Sequence, residues 1–166
     1  MARSDLANTS CPVSRAIERV GDPWVLIILR EAFLGTRRFD DFRRYTKASP
    51  HILSQRLKQL VADGILRTRA YSETPPRQEY LLTDKGVELW PLIMALHNWG
   101  EKWLGGDGIT LVHRGCGATF APADVPHMIC PKCGAPLTAR DLQAEISPEF
   151  RAERERDRHS REGGPT

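Results

Sequence analysis

Between Ser49 and Leu82 the chain reads SPHILSQRLKQLVADGILRTRAYSETPPRQEYLL, and its periodicity changes once, from helical to extended. Ser49 can cap a helix, and Pro50 suits the first helical position because the donor it lacks is not needed there. From that point Leu53, Leu57, Leu60 and Val61 recur at i, i+4, i+7 and i+8, which gives the helix one apolar stripe. His51, Ser54, Gln55 and Lys58 fall on the opposite face. Asp63-Gly64 ends the helix, and two basic strands follow, Arg67 to Tyr71 and Gln78 to Leu82. Thr74, Pro75 and Pro76 lie between them, and adjacent prolines, each without a backbone donor, belong at a hairpin tip.

Upstream, the pattern supplies the helices such an arrangement needs. Ser14 to Val20 predicts a short helix capped by Ser14 and ended by Gly21. Asp22-Pro23 opens the next, whose WVLIILREAFL is apolar nearly all round and belongs in the centre of a core. After a break at Gly35-Thr36, Phe39, Phe42 and Tyr45 place aromatics at helical spacing among Arg37, Arg38, Arg43 and Arg44. Lys47-Ala48 is then a tight connection into the helix at Ser49. The expected fold is mainly α with a small β wing, a winged helix-turn-helix domain followed, where His113, Cys116, Cys130 and Cys133 fall at metal-ligand spacing, by a small zinc-ribbon-like β domain.

Thr83-Asp84 is expected to cap a last helix running to about Leu104, with Pro91 liable to kink it. At about 1.5 Å per residue it would be some 30 Å long. Its Leu89, Leu92, Ile93, Leu96, Trp99, Trp103 and Leu104 cover more than one face, so packing on a second copy of the chain is expected. The domain boundaries read as 1–104 for the DNA-binding and dimerisation domain, 105–108 for a linker and 109–146 for a zinc-ribbon-like domain. A charged tail over 147–166, rich in Arg and Glu, is either disordered or a solvated helix.

Charge is informative through its placement. The net is only +3, yet residues 37–77 carry ten Lys and Arg against four Asp and Glu, so the excess lies on the suspected helix pair and wing. No apolar run approaches the roughly 20 residues that span a bilayer, and MARSDLANTS does not read as a signal peptide, which leaves a cytoplasmic protein without a membrane partner as the expectation. Nothing resembles a Ser/His/Asp set, a phosphate-cradling glycine loop or a paired-carboxylate site, so no enzymatic activity is expected.

Taken together, these residues resemble the HxlR family of bacterial winged-helix transcriptional regulators. The resemblance runs from Cys11-Pro12 through Gly21-Asp22-Pro23-Trp24, Arg38-Phe39 and Ser49-Pro50 with Leu53-Ser54-Gln55-Arg56-Leu57. It continues through Asp63-Gly64, Pro75-Pro76-Arg77 with Glu79-Tyr80, and Leu82-Thr83 with Gly86. It implies a homodimer, formed by terminal helices, on a roughly palindromic operator in double-stranded DNA.

The residues support the same partner physically. Gln55 can make a two-point contact with adenine, Lys58 can reach a guanine edge, Ser54 can bond several bases, and His51 suits a base or a phosphate. Arg43, Arg44, Lys47 and Arg56 suit phosphates, which set affinity and register, and Arg77 at the wing tip suits the minor groove or a phosphate. Arg38 and Ser49, at the openings of the two helices, complete the expected DNA-binding set. The competing reading is a protein-interaction module that docks on a transcription assembly through its ribbon.

The cysteines divide into one and three. His113-Arg-Gly-Cys116-Gly and Cys130-Pro-Lys-Cys133-Gly each resemble a zinc knuckle, and His113, Cys116, Cys130 and Cys133 form a closed ligand set for one structural zinc per chain. His127, three residues before Cys130, competes with His113 for the fourth position. Free thiols or a disulfide are the bland alternatives. Cys11 stands apart: in the resembled family a cysteine here can sense oxidants or electrophiles, which would make a small electrophile or other effector a partner, and otherwise it is a small packing residue.

Overall fold

The computed structural model describes residues 9–73, 76–106, 109–124 and 128–156. The chain divides into two compact units, Met1–Gly86 and Val87–Thr166.

In the first unit the helices are α1 (Pro12–Val20), α2 (Pro23–Phe33), α3 (Phe39–Thr46) and α4 (Pro50–Ala62). Strands β1 (Leu66–Glu73) and β2 (Pro76–Leu82) form an antiparallel hairpin, and α5 (Asp84–Val87) follows. Helix α2 opens as its sequence predicts: Asp22 Oδ1 accepts from the Trp24 amide at 2.9 Å and the Val25 amide at 3.3 Å. Its Val25, Ile28 and Leu29 are fully buried with Phe42 of α3 and with Leu53, Leu57 and Leu60 of α4. Burial of such side chains contributes about 1.5–3 kcal/mol each, so this three-helix cluster is the source of the unit's stability. Ile65 and Leu66 bring the start of β1 into it, and Tyr80 of β2 meets Phe42 edge-on at a centroid distance of 6.3 Å.

Two local arrangements seat the helix pair. Glu31 is fully buried, with Oε1 accepting from Arg30 Nη2 at 2.8 Å and Oε2 from the Thr36 hydroxyl at 3.2 Å, and this fixes the turn from α2 toward α3. Between α3 and α4, Lys47 adopts a left-handed conformation with φ 60°, and its amide bonds the Arg43 carbonyl at 3.1 Å. That turn sends α4 away from α3 within the two residues the sequence allots.

Three boundaries differ from expectation. Helix α1 begins at Pro12 with Cys11 in the cap position, two residues before the expected Ser14, because Pro12 pre-sets the first helical residue. Pro76 is the first residue of β2, opposite Glu73, where a missing amide costs the ladder nothing; Thr74 and Pro75 lie outside the described residues. The long helix after Thr83 is in fact two, α5 and α6 (Trp90–Leu104). Pro91 sits in the first turn of α6, since it can neither donate into a continuous helix nor clear the carbonyl four residues back.

The second unit holds α6, a sheet of order β4-β3-β5, and α7. Strand β3 (Ile109–His113) pairs antiparallel with β4 (Thr119–Phe120) and β5 (Leu142–Ile146), and a short 3-10 turn spans Pro122–Asp124. Its small core is Ile109, Leu111, Phe120, Leu137 and Leu142 with buried His113 and Cys130. Part of the expected tail is ordered as α7 (Pro148–Glu155), capped by Ser147, whose hydroxyl accepts from the Phe150 amide at 3.0 Å; residues 157–166 lie outside the described residues. No helix among the described residues is long and apolar enough to cross a membrane.

Candidate nucleic-acid interface and metal centre

Helix α4 presents the face that its sequence pattern predicts. His51, Gln55 and Lys58 are exposed and Ser54 is half-buried beside them, while the leucines of the opposite stripe are fully buried. The Ser49 hydroxyl is occupied as the helix cap, accepting from the Ile52 amide at 3.3 Å. Arg43, Arg44 and Lys47, at the end of α3 and the turn, are exposed. Placed there, cations suit a backbone of phosphates rather than base edges.

The wing is fastened to the start of α3. The Tyr80 amide donates to the Arg37 carbonyl at 2.8 Å, and Arg38 and Glu79 form an isolated antiparallel bridge beside it. The Arg38 guanidinium lies 4.6 Å from the centre of the Tyr71 ring, which itself sits where the hairpin register shifts between Ala70 and Ser72. Arg38 and Arg77 line one cavity of about 390 Å³ together with Asp40, Asp41, Tyr71 and Gln78. Two expected contacts from distant sequence positions therefore border a single concavity, which they share with Asp40 and Asp41.

Arg56 is placed differently from the other cations. Its Nη2 donates to Asp22 Oδ2 at 2.8 Å, and its Nη1 lies 3.4 Å from Gln55 Oε1. Sequence reasoning also gave no role to Arg67 and Arg69. Both are exposed on β1, and Arg69 Nε donates to Glu79 Oε1 across the hairpin at 2.6 Å. Their alternation in a strand opposite an acidic residue was the available signal.

The second centre is built from two matching turns. In the first, the Gly117 amide donates to the His113 carbonyl at 2.8 Å, and in the second the Gly134 amide donates to the Cys130 carbonyl at 2.9 Å. Both glycines have positive φ, 67° and 71°, a conformation that favours glycine and lets each turn fold back under its ligands. The turns bring one ligand atom each from His113, Cys116, Cys130 and Cys133 within 4.8 Å of one another. His113 Nδ1 is 3.1 Å from Cys116 Sγ and 3.6 Å from Cys133 Sγ, and Cys116 Sγ is 3.7 Å from Cys130 Sγ. A tetrahedral zinc would space two thiolates by about 3.8 Å and a thiolate and imidazole nitrogen by about 3.6 Å, so the set fits that metal. His127 lies outside the described residues.

Backbone amides also favour the thiolate form of Cys130. Burial pushes the Cys130 thiol up, but the amides of Cys133 and Lys132 and the neighbouring thiols outweigh it and bring Cys130 down to about 6. Cys11 is exposed at the cap position of α1. The amide and hydroxyl of Ser14, then the Val13 amide, hold its thiol below the ordinary value.

A family model described as HxlR-like helix-turn-helix matches residues 19–107. The chain is 42% identical over 157 residues to the uncharacterized HTH-type transcriptional regulator Rv3095 of Mycobacterium tuberculosis (strain ATCC 25618 / H37Rv), covering 92% of this chain and 97% of that one. Among solved structures it is similar to PA1607, described as a candidate transcription factor, with 33% identity, a TM-score of 0.63 and coverage of 87% and 99%. It is also similar to the redox regulator HypR in its oxidized form, with 34% identity, a TM-score of 0.52 and coverage of 55% and 96%. The first two likenesses extend past the family segment into the ribbon; the third is about the size of that segment alone.

Proposed function

The chain belongs to the HxlR-like helix-turn-helix family and is a DNA-binding transcriptional regulator, and we propose that it acts as a homodimer on a roughly palindromic operator. The observation that carries this reading is the exposed, polar face of α4 followed directly by a wing with exposed Arg67, Arg69 and Arg77. In this reading His51, Ser54, Gln55 and Lys58 enter a major groove, whose donor and acceptor pattern differs for every base pair. Arg38, Arg43, Arg44, Lys47 and Arg77 hold the flanking phosphates and set the register. Support for a dimer comes from α6, where Leu92, Leu96, Trp99 and Trp103 recur along one exposed face.

The ribbon would hold one structural zinc through His113, Cys116, Cys130 and Cys133. Four protein ligands leave no position for a reacting water, so zinc here supplies folding energy to a segment too small to be stabilised by its own core. The signal is assigned to Cys11, on the strength of its exposure, its lowered pKa and the likeness to HypR, which is itself a redox regulator. Among the described cysteines the other three belong to the metal set, so Cys11 would respond by forming an adduct with an electrophile or a disulfide with its counterpart in the second subunit.

Selection of bound sequences from random duplex DNA tests the reading. Recovery of an inverted repeat with half-sites about one helical turn, roughly 34 Å, apart is the expected result. Recovery of no sequence would leave docking on another protein through the ribbon as the better account. Repeating the binding after diamide treatment, with Cys11→Ser alongside, assigns the signal: the wild type should change affinity and the variant should not.

A further inference from the structure

Arg56 occupies a place in the sequence where a phosphate contact is expected, yet its side chain is turned inward. Only 21% of it is exposed, and its partner Asp22 is 8% exposed. Asp22 is already engaged at its other oxygen, which caps α2 by accepting from the Trp24 and Val25 amides. One carboxylate therefore joins the N-terminus of the central helix to the middle of the helix that faces DNA. Arg56 Nε is buried, Nη2 is held by Asp22, and Nη1 points to the Gln55 carboxamide. A second pair acts at the far end of the same helix, where Arg19 of α1 donates to Asp63, the C-cap of α4, at 3.0 Å.

The Asp22–Arg56 contact differs in kind from a surface ion pair, such as the Arg19–Asp63 pair with its arginine 56% exposed. Two exposed charges in water gain little, but a bond between groups that are this far removed from solvent, with one partner fixed as a helix cap, is strong and geometrically restrictive. Removing either partner strands the other in a low-dielectric site. The restriction falls on rotation and sliding of α4 against α2. Both motions would carry Gln55 and Lys58 out of register with base edges, where bidentate contacts tolerate little displacement.

We propose that Asp22 and Arg56 are positioning residues for sequence reading: their ion pair fixes α4 on α2 and orients Gln55, and Arg56 itself makes no phosphate contact. The proposal rests on the DNA-binding reading given above and specifies which side chains enforce it. Arg56 contributes to discrimination between sequences, whereas Arg43, Arg44 and Lys47 contribute to affinity for any duplex. The two classes are separable because a lost phosphate contact changes the salt dependence of binding and a lost positioning contact does not.

The test uses the full chain and two labelled duplexes, one carrying the sequence that the wild type selects from random DNA and one of mixed sequence. Asp22→Asn, Arg56→Gln and the double variant are compared over a salt series, with thermal melts run on each. On the selected duplex each single variant is expected to bind about tenfold more weakly, and the double variant no worse than the weaker single, since both remove one interaction. On the mixed duplex all three should match the wild type in affinity and in salt slope. If Arg56→Gln weakens both duplexes and makes the slope shallower by about 0.9 for each phosphate lost, Arg56 is a phosphate contact and the proposal is wrong. Unchanged binding by Asp22→Asn, or additive losses in the double variant, also overturns it. Should a variant melt below the assay temperature, Arg56→Lys replaces it: a cation kept without the planar fork should still lose discrimination if positioning is the role, and full retention would refute it. A wild type that binds both duplexes equally defeats base reading itself, and the proposal with it, a result that none of the variants can mimic.

Discussion

At the scale of single residues, the turn between α3 and α4 shows a conformational penalty accepted at a position suited to DNA contact. Lys47 has φ 60°, where a side chain on Cβ crowds the following carbonyl at a cost of about 1 kcal/mol or somewhat more. Glycine would relieve the crowding, and its greater freedom in the unfolded chain would offset part of the gain. Lys47→Gly is thus expected to raise the melting temperature by about 2 to 4 °C while weakening DNA binding and making its salt slope shallower. Calorimetry and binding isotherms on the same preparation check both halves; a variant that gains stability with unchanged affinity would remove Lys47 from the phosphate contacts. Single residues were also where the sequence was least legible. The stripe of Leu53, Leu57 and Leu60 is a local pattern, and it predicts burial correctly. The inward turn of Arg56 depends on Asp22, thirty-four positions earlier, and no periodicity connects two such residues.

At the scale of elements, legibility followed how local each cause was. The wing could be read because two prolines and a change of period lie inside one short stretch. The division of the last helix into α5 and α6 could be anticipated only as a kink, because whether a helix bends at a proline or restarts there depends on the surrounding packing. The knuckles were legible for a chemical reason: histidine and cysteine ligands two residues apart, each pair followed by glycine, have few other uses. Their unit has a small apolar core beside the four ligands, so metal binding and folding should be coupled there. Extracting zinc with a chelator, or replacing Cys116 by Ser, is expected to abolish hydrogen-exchange protection in β3 and β5 while protection in α2 and α4 persists. Native mass spectrometry should find one zinc per chain before extraction. Full protection of β3 without metal would show that the strands stand on hydrophobic burial alone.

For the whole molecule, charge and oligomeric state act on one measurable quantity. The chain's net charge of +3 is too small to hold it on DNA by general attraction, so affinity has to come from the local excess on α3, the turn and the wing. If Arg38, Arg43, Arg44, Lys47 and Arg77 each neutralise one phosphate in both half-sites, the logarithm of affinity should fall with the logarithm of salt at a slope of about −9. A single subunit would give about half of that. The exposed stripe on α6, with Trp99 at 58% and Trp103 at 65% exposure, is the surface whose loss should convert one value into the other. Replacing both tryptophans by Glu puts charge on an exposed helix face, which leaves the subunit folded and opposes pairing. Sedimentation is expected to report a dimer for the wild type and a monomer for the variant, and the salt slope should halve with it. A variant that stays dimeric would move the dimer interface off this face of α6. A monomeric wild type with the full slope would mean that one subunit engages more phosphates than α3, the turn and the wing can account for.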